Sequence, residues 1–246
     1  MKHGVQTYYC TRACQLGDWK KHKKRCGIKH ADGYSAKSPD DGIGDDGWKP
    51  LFMAAKKGHV AEVRALILAG VDVNKASDVN GMTPLFIAAN YGHETVVRTL
   101  IKVGADVNQT RVDDVTPLCN TAATGHDAVV RVLIEAGADV NKAKMHGYTP
   151  LYCAAQEGHT AVVRALIEAG ADVNTVGPFG TTPLFTAARD GHETVLRVLT
   201  EAGSDMNKAA ENGVTPLCVS AARGHKAALQ ALIEAGADVN KSSDLG

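Results

Sequence analysis

The stretch Gly147 to Asn174, GYTPLYCAAQEGHTAVVRALIEAGADVN, decides the fold. Thr149 is a side-chain acceptor placed to cap a helix. Pro150 follows at the first helical position, where its missing N–H costs nothing. Leu151, Ala154 and Ala155 then share one helical face at i, i+3 and i+4. Gly158-His159 breaks that helix. A second one follows, with Val162 above Leu166 and Val163 above Ile167 as its apolar stripe. Gly170 ends it, and Ala171 to Asn174 leads into an extended turn. A unit this small cannot cover both of its own stripes, so it predicts a neighbour on each side.

Working outward, the neighbours are present. The helix-opening prolines are Pro50, Pro84, Pro117, Pro150, Pro183 and Pro216, 33 residues apart after a first gap of 34. The Gly-His pair recurs at His59, His93, His126, His159, His192 and His225. The closing asparagine recurs at Asn74, Asn108, Asn141, Asn174, Asn207 and Asn240. A 33-residue helix–turn–helix–turn period with Thr-Pro-Leu openings resembles the ankyrin repeat family. The implied fold class is all-α, a solenoid of six repeats with hairpin loops over residues 47–246. The expected boundaries are about 47–80, 81–113, 114–146, 147–179, 180–212 and 213–245.

Within that frame the deviations carry information. The resemblance would place histidine after Thr-Pro-Leu, but here the position holds Phe52, Phe86, Cys119, Tyr152, Phe185 and Cys218. Cys119, Cys153 and Cys218 therefore read as small core residues. The recurring histidines could suggest a metal ladder. Stacked helices would hold them about 10 Å apart, which is too far for shared coordination. Asp114 stands where the other hairpins have glycine. Aspartate tolerates a left-handed backbone, so local strain is expected rather than a break.

Composition sets outer limits. The chain has 27 basic and 27 acidic residues, but residues 1–30 hold eight Lys/Arg against Asp18 alone. Only that segment could attract nucleic acid electrostatically, so a nucleic-acid partner is not the expectation for the rest. No apolar run approaches the roughly 20 residues of a membrane span. Six cysteines without a paired spacing fit a reducing, intracellular setting, cytoplasmic or nuclear.

Residues 1–26 differ in kind. Cys10 and Cys14 are four apart, as are His22 and Cys26, so short helices would point each pair one way. Thiolate and imidazole are zinc donors. The run Tyr9-Cys10, Cys14-Gln15, Asp18-Trp19, His22-Lys23 and Cys26 resembles the second half of a MYND-type zinc finger, a short helical hairpin. The resemblance implies that Cys10 and Cys14 serve one zinc ion and His22 and Cys26 another. The family's four upstream cysteines have no counterpart here, so the zinc ligand set is incomplete. Either the four ligands gather around one ion, or the chain is a fragment. The sixth repeat points the same way, because an apolar pattern at Leu229, Leu232 and Ile233 is followed by no polar capping helix.

Residues 27–46 are rich in Gly, Asp, Lys and Ser and read as a flexible tether. Gly42 to Gly47 matches GxGxxG but follows no strand, and its two aspartates would repel a pyrophosphate, so it is rejected as a dinucleotide site. No nucleophile–base pair or carboxylate pair appears, so no enzyme activity is expected.

In a repeat array, function sits where the repeats disagree. The position before each Pro-opened helix cap reads Trp48, Met82, Val115, Tyr148, Thr181 and Val214. The ankyrin resemblance points this position at a concave binding face. Tyr91 and Arg189, at first-helix ends, border the same face. Together these eight are the expected partner contacts, and their mix of aromatic and charged groups suits a protein. The reading is a protein-interaction module, with the finger taking a second protein or a proline-containing peptide. The alternatives are a nucleic-acid-associated regulator acting through the basic finger, or a non-catalytic fragment of a longer enzyme.

Overall fold

A computed structural model describes residues 49–78 and 80–241. The finger ligands Cys10, Cys14, His22 and Cys26, the tether over 27–46 and Trp48 lie outside the described residues.

Twelve α-helices follow one another in six pairs among the described residues, with no strand. The first pair is α1 (Lys49–Lys57) and α2 (Val60–Leu68), followed by α3 (Pro84–Asn90) and α4 (Glu94–Lys102). The third and fourth are α5 (Pro117–Thr124) with α6 (Asp127–Glu135), and α7 (Pro150–Glu157) with α8 (Thr160–Glu168). The last two are α9 (Pro183–Asp190) with α10 (Glu193–Glu201), and α11 (Pro216–Ala222) with α12 (Lys226–Glu234). Odd-numbered helices pack on their odd-numbered neighbours and even on even, which makes the stack an all-α solenoid.

The expected caps form. The hydroxyls of Thr83, Thr116, Thr149, Thr182 and Thr215 each accept the amide three residues on. The first pair has Lys49 at this place, which offers no acceptor.

The core is one continuous cluster. Leu118, Leu151 and Leu184 from the first helices, and Val130, Leu133, Val163, Leu166, Leu196 and Leu199 from the second, are fully buried. Burying one such side chain is worth about 1.5–3 kcal/mol. Alanines at 88, 89, 154, 155, 187 and 188 are equally buried and let the first helices approach.

Two polar ladders hold the pairs in register. In the first, the imidazole that opens a second helix reaches back to the preceding repeat. His93 Nε2 lies 2.8 Å from Lys56 O, and His126, His159, His192 and His225 repeat the contact at 2.9–3.2 Å with Asn90, Ala123, Gln156 and Arg189 O. A carbonyl can only accept, so each ring carries its proton on Nε2. His59 differs, with Nδ1 facing Glu62 at 3.2 Å. In the second ladder, Asn74, Asn108, Asn141 and Asn174 each accept the amide of an aspartate one repeat on, at 2.8–2.9 Å. Their side-chain N–H groups donate to a glycine carbonyl there.

Asp114 adopts the left-handed conformation (φ 61°) and its hairpin stays closed, Arg111 N donating to Val115 O at 3.0 Å. Two further non-glycine residues are left-handed, His146 (φ 65°) and Phe179 (φ 57°), each beside a left-handed glycine. The sequence reading missed both.

The histidine ladder explains the glycine before it. A Cβ on Gly125 (φ +78°) would lie 2.5 Å from the His159 ring, whereas one on Gly137 (φ +84°) meets nothing within 4 Å. Both substitutions incur left-handed strain of about 1–2 kcal/mol, but only Gly125→Ala must also displace an imidazole. Gly125→Ala is therefore expected to lose roughly twice the stability that Gly137→Ala loses, read by urea unfolding. Equal losses would show that the ring does not press on the glycine.

The flanking pairs are less covered. Leu66 and Leu229 are half-buried where Leu100 and Leu196 are fully buried, and Ile233 is 49% exposed. Hydrogen exchange should show amides of α2 and α12 opening at lower free energy than those of α6 and α8. Equal protection across the four helices would contradict this.

Candidate functional site

The first helices and the hairpins between repeats form one face, and the expected contact residues divide on it. Met82 and Val115 are 4% and 5% exposed and belong to the hydrophobic core. Thr181 is 7% exposed, its hydroxyl bonded to Tyr152 Oη at 2.9 Å and to the Pro178 carbonyl at 2.6 Å. The sequence reading expected all three as partner contacts; in the structure their side chains are covered by packing. Val214 and Tyr148 are half-buried. Tyr91 is 37% exposed, and the Arg189 side chain is 31% exposed.

Each accessible tyrosine lies under a cation. Lys56 Nζ is 5.9 Å from the Tyr91 ring centre, and the Tyr91 ring stacks near-parallel to His93 at 6.3 Å. Lys144 Nζ is 4.8 Å from the Tyr148 ring, which meets Tyr152 edge-on at 5.2 Å. A lysine over an aromatic face gains about 0.5–1 kcal/mol at exposed sites and restrains both side chains.

Tyr152 anchors the group from below. It is buried, and burial pushes its hydroxyl above the usual phenol range, opposed by the Thr181 hydrogen bond and the nearby Arg189 charge. It therefore stays neutral and packs as a polar core residue. Arg189 forms a two-point pair with Asp190, Nε at 3.1 Å and Nη2 at 2.7 Å. Partial burial pulls its guanidinium down, but the Asp190 hydrogen bond and charge, with the fields of Tyr152 and Tyr148, raise it overall. Lys144 and Tyr152 were absent from the contacts expected from sequence. Lys144 and Tyr148 lie either side of one hairpin, where Lys144 N donates to Tyr148 O at 3.0 Å. The Tyr152–Thr181 contact joins residues 29 apart, and no local pattern announces it.

Elsewhere, Cys119 and Cys153 are buried in adjacent first helices, as their reading as core residues implied, and Cys218 is half-buried. Thr186 in α9 is fully buried, and its hydroxyl is close enough to Tyr152 to oppose the upward push on that phenol. The opposite face carries exposed ion pairs between repeats, Arg98–Glu135 at 3.2 Å and Arg197–Glu234 at 3.1 Å. Pairs so exposed add little stability. Among the described residues no cluster of three or more His, Cys, Asp or Glu could hold a metal ion. No helix among them is long and apolar enough to cross a membrane.

Comparison with known families accounts for both parts of the chain. A family model described as ankyrin repeats matches three times, over residues 26–111, 103–177 and 173–243, so its first match reaches across residues 27–46. A MYND finger model matches residues 5–26. No curated relative matches. Ankyrin repeats and MYND fingers are protein-interaction modules, typically non-catalytic, and MYND fingers bind zinc. The repeat matches cover most of the chain and coincide with the six stitched helix pairs, and the protein belongs to the ankyrin repeat family.

Proposed function

We propose that the face formed by the first helices and hairpins binds a protein partner, with Tyr91, Tyr148 and Arg189 as its anchors and Val214 at its margin. The observation carrying this reading is the contrast along one face. Met82 and Val115 are covered by packing, whereas Tyr91 and Tyr148 stay accessible beneath lysine cations. Aromatic and arginine side chains held in one orientation lose little entropy on binding, which makes such residues hot spots. Arg189, already oriented by Asp190, is the third such group. Trp48 extends the same set by its place in the repeat.

A photo-crosslinking residue installed at 91 or 148 should capture a partner, while the same residue at 98 or 131, on the opposite face, should not. Adducts formed equally from both faces would remove the assignment. Once the partner is known, Tyr91→Ala and Tyr148→Ala should each weaken binding by about 2 kcal/mol with unfolding unchanged. Loss of stability with affinity retained would make both tyrosines packing residues.

The MYND match supplies the second half of the proposal. Residues 5–26 take a proline-containing peptide or another protein, so the chain bridges two partners. Cys10, Cys14, His22 and Cys26 would hold the zinc, since three thiolates and an imidazole suit that ion. Each of the two sites implied by the MYND resemblance keeps only half its ligands, so zinc binding is expected to be weak and incomplete. Cobalt titration of the intact chain, followed by thiolate–metal absorbance, checks this. Tight stoichiometric tetrahedral binding would show instead that the four ligands close around one ion.

A further inference from the structure

Two thiols meet in the middle of the stack. Cys119 in α5 and Cys153 in α7 are 34 residues apart in sequence, and their Sγ atoms lie 3.6 Å apart in the structure. Neither is in a disulfide, and they are 1% and 5% exposed. They do not occupy equivalent repeat positions. Cys119 follows Thr-Pro-Leu directly, and Cys153 sits one residue further along its helix, so the contact runs diagonally between α5 and α7. Cys119 Sγ also lies 3.6 Å from the Tyr148 carbonyl, to which its S–H can donate.

We propose that Cys119 and Cys153 are an oxidisable pair, and that a disulfide between them covalently latches the third repeat to the fourth. The sulfurs need to close by about 1.5 Å to reach bonding distance, a movement within reach of side-chain rotation. Hydrogen peroxide is the oxidant class small enough to reach them. One sulfur, as thiolate, attacks a peroxide oxygen. The O–O bond breaks, hydroxide leaves and takes up the released proton as water, and a sulfenic acid remains. The second sulfur then attacks the sulfenic sulfur. The S–O bond breaks, a second water leaves with the thiol proton, and the S–S bond forms. The two thiols together lose two electrons and two protons, and the peroxide becomes two waters.

The surroundings make this a slow latch. The hydrogen bond to Cys153 pushes the Cys119 thiol well up, and burial adds to it, so the closed stack holds little thiolate. Oxidation therefore proceeds through brief openings between the third and fourth pairs, and closing the bond removes those openings. Repeat arrays are stabilised mainly by contacts between nearest neighbours, so one covalent tie between two central repeats removes the opening between them. It also replaces the S–H that faces Tyr148 O, which couples oxidation state to the hairpin carrying that tyrosine.

The cysteines fall on separate tryptic peptides, 112–131, 145–164 and 209–223 for Cys119, Cys153 and Cys218. After graded peroxide treatment of the folded, full-length chain, peptides 112–131 and 145–164 should be recovered joined, about 2 Da lighter than the two reduced peptides together. The joined species should vanish with dithiothreitol and in Cys119→Ser or Cys153→Ser, and persist in Cys218→Ser. The oxidised chain should unfold at higher urea concentration than the reduced one. Recovery of these peptides as unlinked thiols at doses that oxidise Cys218 would overturn the proposal. So would a link that forms only in urea, or a link that leaves the urea midpoint unmoved.

Discussion

Everything in this stack depends on an imidazole that belongs to one repeat and is bonded to another. The last carbonyls of a helix have no partner inside it. Here the first helix of a repeat presents one such carbonyl to its neighbour, and the next repeat's histidine donates to it at 2.8–3.2 Å. The contact needs room, and the glycine that ends the first helix supplies it because it has no Cβ to meet the ring. The same glycine takes the left-handed conformation that turns the chain. Glycine and histidine thus recur as a pair across the boundary between repeats. Their adjacency in sequence reflects two separate duties, the glycine receiving the ring from the next repeat and the histidine reaching to the one before.

The asparagine ladder repeats this logic on the hairpin side, where Asn74, Asn108, Asn141 and Asn174 each satisfy backbone groups one repeat on. Backbone groups left exposed by short helices are therefore closed by side chains from elsewhere in the array. The apolar stripes supply most of the stabilising free energy. The two polar ladders, whose geometry tolerates no slippage, set the register.

Most of the fold could be read before the structure because its determinants are local and repeated. Thr-Pro fixes a helix start, Gly-His a break and Gly-Ala-Asp a stop, and the 33-residue spacing fixes the stacking. How far each expected contact is exposed was not legible in the sequence, for a physical reason. Whether Met82, Val115 or Thr181 faces outward is decided by the neighbouring hairpin, and Thr181 is held by Tyr152, 29 residues away. The left-handed His146 and Phe179 were missed because each borrows its turn from the glycine after it. At Asp114 the turn position itself lacks glycine, and that substitution was visible in the sequence.

Several departures from the period lie in the middle repeats. The Tyr148–Tyr152–Thr181 contacts, the Arg189–Asp190 pair, the thiols of Cys119 and Cys153, and the three left-handed non-glycine residues among the described ones lie between positions 114 and 190. Repeats in the middle of an array have neighbours on both sides, which helps them to hold a strained turn. The half-buried leucines of α2 and α12 already expose part of the apolar surface that holds them in place. A repeat covered on both sides can therefore carry irregular side chains that its neighbours help to hold.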